Sequence, residues 1–323
     1  MYPFEYANPT TVKDAVALLG ASWSDANILA GGTDQMNLMK DDLHQPKRLV
    51  NIKSIKALGG ISKSGAGIRI GATVTSDELM ENALVRAELP SLVAAARGIG
   101  SQQIRNMGTV AGDLCQRPRC WYFRNGFGLL GNAGGKDLVT AGQNEFHAIF
   151  PKGAAKFVSA SSYAPALVAL GASVTIVGPA GSRKVSLADF FVAPSSGDQR
   201  EIDLKPNEIV TEILIPSGGM KNAIYEVRQK DGLDWPLVAA AVALKMKGAT
   251  IESAQVVLGH VGPTPVVSAA AAAALAGKSM SEDVAAAAGA AAAQGAMPLS
   301  GNVYKVDLVK VAVKRALLAV GKA

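Results

Sequence analysis

Residues 29–35, LAGGTDQ, set a glycine pair between a short apolar run, Asn27–Ala30, and a helical pattern, Gln35–Lys40. A strand that turns into a helix through Gly31–Gly32 commits this part of the chain to a β-to-α turn. Thr11–Leu19 (TVKDAVALL) reads as an amphipathic helix with Val12, Ala15, Val16 and Leu19 on one face, and Arg48–Asn51 (RLVN) as another strand. The first fifty-odd residues therefore alternate as a small β-α-β-α-β unit. Lacking a Cβ, Gly31 and Gly32 let backbone N–H groups approach an anion at a helix start, and Thr33 adds a hydroxyl donor. The same pair would also serve as a plain turn. The spacing is neither GxGxxG nor the GK[ST] of a phosphate loop.

A second glycine-punctuated segment, GIGSQQIRNMGTVAGDL, covers residues 98–114. It is expected as a ligand loop in which Gly100, Ser101, Gly108, Thr109 and Gly112 offer backbone and hydroxyl donors. Arg105 either adds charge to it or is a surface arginine. Ile68–Ala72 reads as a strand, Ser76 as the N-cap of SDELM, and Leu89–Arg97 as a helix. Residues 115–155 form a long, glycine-rich, irregular insert, of the kind that is usually functional or mobile. Ala164–Leu170 is helical, Ser173–Val177 (SVTIV) is a strand, and Arg183–Phe191 and Glu208–Ile215 (EIVTEILI) finish this part. PSGG at 216–219 is the candidate domain boundary. Ala223–Arg228, Leu237–Met246 and Ile251–Leu258 then read as strands. The alanine-rich stretch from Ser268 to Met297 reads as two helices broken at Gly277–Ser281, and Asp307–Val320 as a last amphipathic helix.

At 323 residues, 49% hydrophobic and 18% charged, the chain is long enough for two cored domains. Its net charge of +6 is spread along the sequence with no basic block, so a solvated surface is expected and nucleic acid is not. MYPFEYANP has neither a basic nor an apolar signal region, and no window of about 18 uncharged apolar residues would span a membrane. Two cysteines, Cys115 and Cys120, make no secreted disulfide framework. A soluble, cytoplasmic chain is expected. No Ser/His/Asp set and no HExxH is present. His44, after an acidic pair, is expected to be exposed, His147 to be a core or interface residue, and His260 to occupy a turn. Of Trp121, Tyr122 and Phe123, at least one should pack into the core.

AGGTDQMNLMK, IRIGATVTSDEL, IGSQQIRNMGTVAGDL, APALVALGA, KPNEIVTEILIP and LGHVGPTPVVS occur in that order. Together they resemble the FAD-binding (medium) subunit of the xanthine dehydrogenase, aldehyde oxidoreductase and carbon monoxide dehydrogenase family of molybdenum hydroxylases. The resemblance implies an α+β protein. Residues 1–218 would be a two-part FAD-binding domain of the vanillyl-alcohol-oxidase (PCMH) type, with a small β/α lobe at 1–55 and a larger lobe at 56–218. Residues 219–323 would be a smaller C-terminal α+β domain of antiparallel sheet plus helices. Two loops would clasp the FAD pyrophosphate: Ala30, Gly31, Gly32, Thr33 and Asp34, then Gly108, Thr109, Ala111, Gly112 and Asp113, with Gly100 and Ser101 beside them. Val50 corresponds to an apolar residue near the adenine. KDGLDWPLVA (230–239) matches a segment close to the isoalloxazine. Ser162 stands where relatives carry an Asp that bonds the FAD ribose.

CWYFRNGF and GQNEFHAIF resemble the insert of periplasmic-type aldehyde oxidoreductase medium subunits, which holds a [4Fe–4S] cluster on four cysteines. This chain has two. The later cysteine positions fall near Leu129, the GGKDL stretch and Ala154–Ala155, so Cys115 and Cys120 read as remnants and no [4Fe–4S] cluster is expected. The implied function is electron transfer. FAD on this subunit would take electrons from a [2Fe–2S] small subunit and pass them to an external acceptor, with substrate chemistry on a molybdenum-cofactor large subunit. Export to the periplasm with a signal-bearing partner is compatible with that assignment. A flavin-free structural subunit and a stand-alone flavin oxidase are the alternatives.

Overall fold

The computed structural model describes residues 1–230 and 233–320. The N-terminal lobe follows the alternation read from the sequence: β1 (Glu5–Ala7), α1 (Val12–Leu18), β2 (Ala26–Leu29), α2 (Gln35–Lys40) and β3 (Arg48–Asn51). The strands pair in parallel in the order β1-β3-β2. Parallel neighbours need crossovers, which α1 and α2 supply. The Thr11 hydroxyl caps α1 by accepting from Asp14 N at 3.1 Å. Ala15, Val16, Ala26 and Val50 close into one apolar cluster behind the sheet.

The second lobe opens with the hairpin β4 (Ile61–Ser64) and β5 (Gly67–Gly71). Five helices follow: α3 (Ser76–Glu81), α4 (Ala83–Glu88), α5 (Pro90–Gly98), α6 (Gln102–Met107) and α7 (Val110–Cys115). The N-cap of α3 is Thr75, one residue before the expected Ser76. Thr75 forms a capping box: its hydroxyl accepts from Glu78 N at 3.2 Å, and Glu78 accepts from Thr75 N at 2.8 Å. The expected open loop at 98–112 is mostly helical. Ser101 and Thr109 act as caps, accepting from Ile104 N at 3.3 Å and Gly112 N at 3.1 Å, and Val110, Ala111 and Leu114 are buried.

The insert holds α8 (Trp121–Arg124), the small hairpin β6 (Asn132–Ala133) and β7 (Lys136–Asp137), and α9 (Leu138–Ala141). Phe123 packs inward with Leu38, Leu129 and Phe157, while Trp121 stays partly exposed. Then come α10 (Ala164–Ala169), β8 (Ser173–Gly178), β9 (Gly181–Ser186), α11 (Leu187–Phe190) and β10 (Ile209–Pro216). The lobe's antiparallel sheet runs β4-β5-β10-β8-β9. Ile70, Leu79, Leu92, Leu167, Ile176 and Ile213 form its core.

Beyond residue 220, β11 (Lys221–Val227), β12 (Val238–Lys247), β13 (Thr250–Gly259) and β14 (Val266–Val267) make an antiparallel sheet in chain order. α12 (Ala269–Leu275), α13 (Glu282–Ala292) and α14 (Tyr304–Ala319) complete this part. The alanines explain the close packing: a Cβ on Gly289 of α13 would collide with the Lys310 carbonyl oxygen of α14. Two polar joints tie this part to the rest. Asn222 accepts from Ser91 N at 3.0 Å and donates to Glu88 O at 2.9 Å. Asn302 Nδ2 donates to Asn144 O at 3.2 Å and His147 O at 3.1 Å, and the buried Lys305 Nζ donates to the carbonyls of Phe146, His147 and His260. The insert is thus fastened to the start of α14. Among the described residues no helix is long and apolar enough to cross a membrane.

Candidate cofactor-binding site

The two N-terminal lobes, the insert and residues 233–236 surround a cavity of about 450 Å³, within the rough 300–1,000 Å³ range of ligand pockets. Ala30, Gly31, Gly32, Thr33 and Asp34 form one wall. Gly100, Ser101, Gly108, Thr109, Ala111, Gly112 and Asp113 form the facing one, and Ser162 closes it. Ile28, Ile52, Leu204, Pro206 and Ile209 give it an apolar end, and Leu233, Trp235 and Pro236 line another part. The segment 230–239 expected beside a flavin ring thus reaches the cavity through these residues, while its Asp231 and Gly232 lie outside the described residues.

Two glycines explain how the walls meet. A Cβ on Gly31 would collide with the Met107 carbonyl oxygen, so the first loop touches the second backbone to backbone. Gly32 has φ +75°, a left-handed turn that aims the chain into α2. Among the described residues, the backbone N–H groups of Gly31, Gly32, Thr33, Asp34 and Gln35 donate to no other protein group. Those of Gly100, Ser101, Thr109 and Ala111 are equally free. Free N–H groups converging from several directions suit an anion such as a pyrophosphate.

The expected residues differ in their surroundings. Val50 is fully buried in the lobe core and does not line the cavity; Ile28 and Ile52 supply the apolar surface instead. The Asp34 carboxylate lines the cavity and is paired with protein donors. It takes Arg124 Nη2 at 2.9 Å, Arg119 Nη1 at 3.0 Å and Arg117 N at 2.8 Å. The Asp113 carboxylate is likewise paired with protein donors. Its oxygens accept from the Ser161 hydroxyl, Ser162 N at 3.3 Å, Tyr163 N at 3.2 Å and Gln116 Nε2 at 3.0 Å, which fixes the turn carrying Ser162. Burial raises the Asp113 carboxyl to about 6, and these donors partly offset the shift. Arg105 braces its own loop, donating to Ile99 O and Gly100 O at 3.1 Å each. His44 is half-buried and not exposed. Its Nδ1 lies 3.3 Å from Gln35 Oε1 and its Nε2 3.1 Å from Arg117 Nη1. Burial, then Arg117 and Arg200, lower its pKa to about 4, so the ring is neutral at pH 7.

The cavity also holds cationic side chains that no motif in the sequence marks. Arg117, Arg119 and Arg200 line it with Trp23 and His44. Two of these arginines, Arg117 and Arg119, stand between the cysteines in CQRPRC. The signal available was a run of arginines in an insert, without an indication of where the insert would dock.

Cys115 and Cys120 are both free. Burial raises the thiol of Cys115 to about 12 and also raises that of Cys120. Cys115 lines the cavity, and Cys120 Sγ lies 3.2 Å from His147 Nε2. Among the described residues, no group of three or more His, Cys, Asp or Glu side chains is placed to hold a metal ion. His147 is buried at the joint between insert and α14, and His260 occupies a turn with φ +59°.

Comparison with known proteins gives this architecture a place. Residues 2–218 match the family of the FAD binding domain in molybdopterin dehydrogenase, and residues 223–320 match the CO dehydrogenase flavoprotein C-terminal domain. The chain is 32% identical to the carbon monoxide dehydrogenase medium chain of Hydrogenophaga pseudoflava, covering 98% of this chain and 96% of that one. It is 31% identical to the aldehyde oxidoreductase FAD-binding subunit of Escherichia coli K12, over 82% of this chain and 83% of that one. The structure superimposes on that of the Hydrogenophaga carbon monoxide dehydrogenase lacking the Mo-pyranopterin moiety, with TM-score 0.77, 30% identity and coverage of 100% and 99%. The chain belongs to the family of FAD-binding medium subunits of molybdenum hydroxylases, as flavoprotein component of an oxidoreductase. Converging free N–H groups, a close glycine contact and an apolar end fit FAD.

Proposed function

We propose that this chain binds one FAD in the cavity and relays electrons within a molybdenum hydroxylase complex. The observation that carries this reading is the pair of glycine loops in backbone contact, both directing unpaired N–H groups into one cavity. Residues 30–34 and 108–113, with Gly100 and Ser101, would hold the pyrophosphate through backbone N–H groups and the Thr33 hydroxyl. Ser162, held in place by Asp113, would face the ribose in place of a carboxylate. Ile28, Ile52 and Leu204 would take the adenine, and the wall at 233–236 the isoalloxazine. When bound, FAD supplies a centre that accepts electrons from one donor and passes them to another.

The chain's own residues bind, orient and shield. No side chain is assigned as a catalytic acid or base. A [2Fe–2S] small subunit delivers the electrons, a molybdenum-cofactor large subunit oxidises an aldehyde, purine or similar compound, and an external acceptor receives them. The domain division falls at 216–219. The chain is made in the cytoplasm, with export possible alongside a signal-bearing partner.

The visible spectrum of the purified chain tests this reading. Flavin bands that leave with the supernatant on denaturation, without broad iron–sulfur absorbance, are expected. A colourless chain that cannot be loaded with FAD refutes it. Co-purification with a large and a small subunit separates a complex component from a lone oxidase.

A further inference from the structure

The insert sends guanidinium groups into the cavity. Arg119 stands where three separate parts of the chain meet. Its Nη1 is 3.0 Å from Asp34 Oδ1 at the end of the first glycine loop, and its Nη2 donates to Gln116 Oε1 at 2.8 Å. Its guanidinium carbon lies 5.0 Å from the ring centroid of Trp235, on the wall formed after β11. Its Nε is buried without a hydrogen-bond partner. Behind it, Arg117 pairs with Glu201 at 2.6 Å, and Arg200 lies 3.6 Å from the same carboxylate and over Trp23. Arg124 shares Asp34. Two carboxylates thus serve four guanidinium groups. The other cavity carboxylates, Asp113 and Asp234, accept from backbone N–H groups. The cluster is short of negative charge beside loops whose unpaired backbone groups are N–H donors.

We propose that Arg119, backed by Arg117 and Arg200, contacts the cofactor's pyrophosphate, so that the insert is part of the dinucleotide site. Guanidinium–phosphate contacts are charge-assisted and directional, unlike those of the neutral loops. The inference rests on FAD being the ligand.

The test titrates the flavin-stripped chain with FAD and with riboflavin, which lacks phosphate, following flavin fluorescence. Arg119→Met is expected to weaken FAD binding about tenfold while riboflavin binding stays within about twofold. Arg119→Lys should recover part of the loss, and added salt should weaken FAD binding to the wild type more than to Arg119→Met. Trp235→Leu, which removes the ring but not the charge, should alter both flavins alike. Circular dichroism confirms folding, and Arg200→Gln gives the same selective loss in smaller measure should Arg119→Met fail to fold. FAD affinity unchanged in Arg119→Met, or equal losses of FAD and riboflavin, overturns the proposal. A wild-type chain that takes up neither flavin overturns the FAD reading itself, and is seen without any variant.

Discussion

A methyl group on Gly31 would run into the Met107 carbonyl oxygen, and backbone cannot swing aside as a side chain does. Gly31→Ala should therefore part the two loops and lower FAD affinity by about tenfold or more, with a fall in melting temperature. Flavin retained through gel filtration and a thermal melt check this. His260 gives a prediction of another kind. Burial, then Lys305 and Arg228, lower its pKa from 6.5 to about 3. The unfolded ring takes a proton near pH 6.5 and the folded ring does not until near pH 3. Stability from this group is therefore complete above pH 6.5 and lost as pH falls towards 3. His260→Asn keeps a residue tolerant of φ +59°. It should reduce the stability lost between pH 7 and pH 5, measured by urea unfolding, by about 2 kcal/mol. The cysteines make a third case. With both thiols raised by burial, the native chain should react slowly with a thiol reagent, and two thiols should appear on denaturation.

At the scale of elements, the insert is held at both ends of its reach. Asp34 draws in its arginines, and Asn302 and Lys305 bind its carbonyls. Asn302 is fully buried, and its Oδ1 accepts from Leu299 N at 2.7 Å. Asn302→Ala leaves those partners unpaired and should cost about 2–3 kcal/mol. Limited proteolysis should then cut within 125–145 faster than in the wild type. Regular elements were legible in the sequence because their periodicity is local. Gln35–Lys40 and Arg48–Asn51 came out with the same bounds. The helices at 102–115 were obscured by their glycines, although Ser101 and Thr109 each stand where a helix cap stands. The insert's docking was not legible, because it depends on Asn302 and Lys305, whose partners lie far away along the chain.

For the molecule as a whole, FAD binding to the folded state alone should stabilise it by about 2.7 kcal/mol at one hundred times the dissociation constant, and so raise the melting temperature. Scanning calorimetry with and without FAD checks this, and riboflavin should stabilise less. The glycines that leave backbone donors open are legible in the sequence, since a missing Cβ shows there. Val50 lies in the lobe core beside Ile52, and which of the two lines the cavity depends on packing that the sequence does not display. The arginines went unseen because charge in a loop carries no address. The fastening of the insert also bears on how the protein is made. Gly301 N donates to Asn144 Oδ1 across 157 residues of sequence. While the chain leaves the ribosome, the insert must therefore wait for a partner synthesised much later. Both glycine loops are complete long before the insert that carries Arg119 is fixed in place. Flavin is therefore expected to be held firmly only by a released polypeptide, and chains stalled before residue 299 should emerge without it.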